Sequence, residues 1–157
     1  MGKELVTAKN VAEYLLGLTN PDVGDIMSNL KLQKLVYYAQ GYHLALFDKP
    51  LFDDYPIVAW EHGPVVESLY HDYKQFKSGA IEIPKFIDES MFSDEQKGLL
   101  DEVFEVLGQF SGWKLRNMTH EELPWKSVEI GEEISNDSMK TYFKTLIEKQ
   151  ASNTQKA

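Results

Sequence analysis

The chain contains no cysteine among its 157 residues. Disulfides, thiolate metal sites and thiol nucleophiles are therefore excluded. A secreted, stapled scaffold is disfavoured, and a reducing cytoplasm is the expected location. No apolar run approaches the roughly 20 residues that span a bilayer. The opening stretch MGKELVTAKN lacks the apolar core of a signal peptide, and Val6 stands where acylation of Gly2 would need Ser or Thr. Phosphate cradles are missing too: neither GxxxxGK[ST] nor GxGxxG occurs, and the glycines fall singly. Positive charge is scarce, with 16 Lys and Arg against 25 Asp and Glu and a net charge of −9. Duplex nucleic acid repels such a surface unless one face is locally basic. Lys31 with Lys34, and Lys74 with Lys77 and Lys85, read as solvated lysines. The acidity suits solubility or a basic protein partner.

What is present is a hydrophobic fraction of 43% with 12% aromatic residues, enough to bury a core. The length fits one domain. Thr7 is placed to cap a first helix with Val11, Leu15 and Leu18 at helical spacing, and TNPDVGD ends it. Ser28 is placed to cap a second helix of about 18 residues ending near Phe47. Leu32, Leu35, Val36, Ala39 and Tyr42 form its broad face, while Leu30, Tyr37, Tyr38, Leu44 and Leu46 cover most of the rest. A helix apolar nearly all round belongs at the centre of a domain.

Asp48-Lys49-Pro50 and Asp53-Asp54-Tyr55-Pro56 are turn chemistry, and Ile57 to Trp60 is β-prone, so a small hairpin or a pair of extended arms is expected. Gly63 then allows a corner, and Pro64 suits the first turn of a third helix carrying Val65, Val66, Leu69, Tyr70 and Tyr73. Ser93 and Gln96 form a capping box for a fourth helix. A short helix is expected to end before Pro124, and Ser135 to cap the last. The expected fold is mainly α: a single compact domain, residues 1–150, of about six helices around a central apolar helix, with one small β-hairpin. Residues 151–157 are expected to fray.

Glu61-His62 raises the possibility of acid–base chemistry. Adjacent residues in an extended stretch point to opposite faces, so Glu61 is poorly placed to orient His62, and no nucleophile is marked. The expectation is a structural corner with no catalytic residue. His43, His62, His71 and His120 form no HExxH pair and no two share one helix face, so neither a metal nor a cofactor is expected. More unusual are polar side chains set into apolar surroundings. Gln33, Tyr37 and Gln40 lie in one stripe of the second helix. Trp60, His62, Trp113, His120 and Trp125 are amphipathic residues near predicted corners, where they either support the fold or present a binding surface.

Three segments in order, LKLQKLVYYAQGYHLAL (30–46), PLFDDYPIVAWEHGPVVESLYHDYK (50–74) and MTHEELPWK (118–126), resemble the Panacea domain of SocA-like antitoxins and phage-associated GepA-like proteins. ISNDSMKTYF (134–143) is a weaker fourth block. The resemblance implies a mostly helical domain that neutralises a toxin encoded beside it by direct binding, with no established catalytic residues. Its partner would be that cognate toxin, with neither membrane nor nucleic acid, and the oligomeric state stays open. Two other readings remain: a phage or mobile-element adaptor that delivers a partner to other machinery, and an enzyme built on Trp60, His62 and His120.

Overall fold

The computed structural model describes residues 5–156. Thr7 opens α1 (Ala8–Leu18) with a capping box, exchanging side-chain bonds with Asn10. The Ser28 hydroxyl accepts from the Lys31 amide and opens α2 (Asn29–Phe47). Leu32, Leu35, Val36, Tyr37, Tyr38, Ala39 and Leu44 of α2 are all buried. The helix packs against α1, four further helices and a strand, which is where an all-round apolar helix must sit. The central helix is thus as expected.

β1 (Ile57–Trp60) pairs antiparallel with β2 (Gly63–Val65), leaving Glu61 and His62 as the two-residue turn. Gly63, at φ +108°, supplies the positive φ that this tight turn requires. A third strand, β3 (Glu133–Ile134), pairs with the other edge of β1, giving the order β2-β1-β3. The expectation for residues 63–66 needs correction. Pro64 is a strand residue paired with Ala59, not the first turn of a helix, and α3 begins only at Glu67 and runs to Tyr73. The cause is tertiary. Gln33 Oε1 accepts from the Val66 amide at 2.9 Å, and Lys34 Nζ donates to the Pro64 carbonyl at 3.0 Å. Both bonds hold the segment extended along α2.

The Ser93–Gln96 capping box opens α4 (Asp94–Leu107). The short helix expected to end before Pro124 is α5, which spans Gly112–His120, and Pro124 sits in the first turn of a separate short helix, α6 (Leu123–Lys126). The Ser135 hydroxyl accepts from the Ser138 amide at the start of α7 (Asn136–Lys156), which continues through residues where the sequence predicts fraying. α7 docks along α2, with Phe143 set edge-on among Tyr37, Tyr38, Tyr42 and Tyr142. The result is a mainly α domain with one small sheet at its side.

The close crossing of α2 and α7 depends on Gly41, where any Cβ would overlap the Phe143 ring. Gly41→Ala should lower stability by about 1–3 kcal/mol through overpacking, read as a shift of the denaturation midpoint. Gly98 lies in α4 with nothing near its Cβ position. Gly98→Ala should raise stability by up to about 1 kcal/mol in the same assay.

Candidate functional site

The Glu61-His62 turn is clamped by α5 and α6. His120 stacks on Trp125 with ring centroids 3.9 Å apart. Its Nε2 lies 2.7 Å from the Glu61 carbonyl oxygen, and its Nδ1 lies 2.7 Å from that of Arg116. Carbonyl oxygens only accept, so both contacts are hydrogen bonds together only when both ring nitrogens carry hydrogens. The Trp125 indole donates to the Trp60 carbonyl at 2.8 Å. Arg116 Nε donates to His62 Nδ1 at 3.3 Å, and its guanidinium lies 4.6 Å from the Trp113 ring centre. Trp60, His62, Trp113, His120 and Trp125 are thus brought together from two distant sequence segments, 60–62 and 113–125, Trp60 through its carbonyl. Glu61 joins through its backbone. Among the described residues both ring nitrogens of His120 are thus taken up by backbone carbonyls, and His62 Nδ1 accepts from Arg116.

Gln33, Tyr37 and Gln40 do not join that cluster, although they share a stripe of α2. Gln33 ties down Val66 and Asn29. Gln40 accepts from the Leu51 and Phe52 amides and donates to the Phe52 carbonyl. The Tyr37 hydroxyl donates to Glu122 at 2.9 Å, and the Tyr38 hydroxyl to the other oxygen of the same carboxylate at 2.7 Å. Each is a separate anchor between α2 and an irregular segment.

Two buried ionisable groups escaped the sequence reading. Glu122 is pushed up to about 7 by burial, against the two tyrosine hydrogen bonds that favour its charged form. Lys34 is 0% exposed. Burial, reinforced by the Arg116 charge, brings it down to about 7. Gly63 is needed here a second time, because a Cβ there would come within 2.8 Å of Lys34 Cε and 2.7 Å of Thr119 Oγ1. The available signal was helical spacing: Lys34 falls three and four residues before Tyr37 and Tyr38, inside the apolar surface of α2.

Lys34 backs an open cleft of about 570 Å³ between the first turns of α2, the β1–β2 hairpin and α3. Trp60 and Tyr70 meet edge-to-face at 4.9 Å in its wall, with the Trp60 indole donating to Glu67. Lys74 and Lys77 also line it. Of the lysines read as solvated, the fold therefore gathers three around one opening.

The two buried groups give opposite pH dependences. For Glu122 the native state binds more protons than the unfolded chain between pH 4.5 and about 7, so stability falls as pH rises through that window, by of order 3 kcal/mol. For Lys34 the native state binds fewer protons between about 7 and 10.5, so stability rises with pH there, by about 1.4 kcal/mol per unit. Glu122→Gln should flatten the acid limb of a stability–pH curve measured by denaturant unfolding, and Lys34→Met the limb from pH 7 to about 9.

Residues 32–126 match the family model described as antitoxin SocA-like, Panacea domain. The match covers more than half of the chain, from α2 through α6, and includes the hairpin, its clamp and both buried ionisable groups. No curated protein and no solved structure matches the chain. An antitoxin-type role follows from the match: the chain belongs to the SocA-like antitoxin family defined by the Panacea domain.

Proposed function

We propose that this chain is an antitoxin that neutralises a co-encoded toxin by binding it directly and covering the surface through which the toxin acts. The family match over α2–α6 is the observation that carries this reading. The clamp supports it chemically. Its histidines are engaged with backbone carbonyls and an arginine rather than with acid–base partners. Beside them Trp113 stays 54% exposed, stacked on Arg116. Half-exposed tryptophan and arginine are the side chains that most often anchor protein interfaces. Such an interface buries roughly 1,200–2,000 Å² in total. The net charge of −9 would speed encounter with a partner that is basic overall.

The test is co-expression with the product of the adjacent gene. Growth should be restored and a complex should co-purify. A toxic neighbour that is neither bound nor neutralised would overturn the reading. Within that assay, Trp113→Ala should weaken the complex by about tenfold or more while leaving the thermal midpoint of the free protein within a few degrees, since the ring is largely on the surface.

A further inference from the structure

We propose that the cleft between α2, the β1–β2 hairpin and α3 receives an acidic segment of the bound protein, its carboxylate set between Lys74 and Lys77 and an adjoining apolar side chain against Trp60, Tyr70 and Ile130. The inference rests on the antitoxin reading and assigns the place and the sign of the contact.

The first support is backbone strain. Lys77 sits at φ 53° and ψ −126°. The Gly79 amide donates to the Phe76 carbonyl at 2.9 Å and closes a turn around it. Those angles are those of the first central position of a type II′ turn, a place that glycine favours and that strains an L side chain. A lysine held there at the mouth of a cleft is kept against a conformational cost, and such outliers cluster at ligand clamps.

The second support is charge. In an acidic chain this opening carries Lys74 and Lys77 in its lining. Among the described residues Lys34, Lys74 and Lys77 take part in no ion pair. Lys34 lies behind the floor with a single hydrogen bond, to a carbonyl, and with Arg116 rather than a carboxylate as its charged neighbour. Of the acids nearby, Glu61 lines the cleft, and Glu67 is engaged by the Trp60 indole. The complement to this opening is negative.

The third support is shape. A volume of about 570 Å³ admits a few side chains, not a folded surface. Its walls carry apolar and aromatic side chains beside the cations, which matches an acid next to a hydrophobic residue in one peptide segment. A small phosphate would instead find two rim lysines and no Gly-rich cradle.

The experiment is titration calorimetry of the intact chain against the neighbouring gene's product, with growth rescue in parallel. Two variants are used. Lys77→Gly should melt higher than wild type and yet bind more weakly, because strain and one cation are lost together. Lys74→Glu/Lys77→Glu should weaken binding at least about tenfold by placing like charges opposite. Reversal of one acidic residue of the partner to lysine should restore affinity to that double variant only. Equal affinity and rescue by the double variant would overturn the cleft assignment while leaving the antitoxin reading in place. Competition by millimolar inorganic phosphate at constant ionic strength would also overturn it, in favour of a small-anion site. A wild-type chain that neither binds nor rescues would overturn both.

Discussion

A helix buried on every side leaves its own polar side chains only the rest of the chain to bond with, and this constraint organises the domain. α2 buries Gln33, Lys34, Tyr37, Tyr38 and Gln40 along with its apolar residues. Burying such groups without partners would cost several kcal/mol in total. The chain answers with backbone groups that would otherwise be orphans. Gln33 and Lys34 hold the segment of β2 extended, Gln40 fixes residues 51–52, and Tyr37 with Tyr38 holds the Glu122 carboxylate. The hairpin and the start of α6 are therefore shaped by what α2 presents to them more than by their own propensities.

That dependence marks the limit of what could be read from sequence. α1, α2 and α4 were legible because each carries a side-chain cap followed by apolar residues at helical spacing, both of them local signals. Pro64 was misplaced because Gly-Pro before an apolar run is a good local helix entry. Only the tertiary bonds from Gln33 and Lys34 make it a strand. β3 is two residues long and pairs with a strand more than seventy positions earlier, so no local pattern announces it. The break between α5 and α6 follows from Glu122 turning inward to the two tyrosines, which is again a long-range contact.

The candidate site was half legible. Tryptophan and histidine near predicted corners flagged the clamp, and five of those residues do meet. Gln33, Tyr37 and Gln40 were grouped with one another by helical spacing, although each faces a different partner. Charge was the hidden part. Lysines separated by forty residues read as scattered surface groups, and nothing in their spacing shows that the hairpin folds Lys74 and Lys77 back towards the helix that carries Lys34.

The span that defines family likeness, 32–126, does not coincide with a self-sufficient core. α1, β3 and α7 lie outside it, yet Leu15, Leu16, Ile134, Met139 and Phe143 are among the most deeply buried side chains. A segment excised at those limits would lay bare the Gly41 groove and one whole edge of the sheet, both sticky surfaces. The recognisable stretch is thus a signature rather than a module. Grafting this domain onto another protein requires the flanking helices to travel with it, so fusion points belong beyond them.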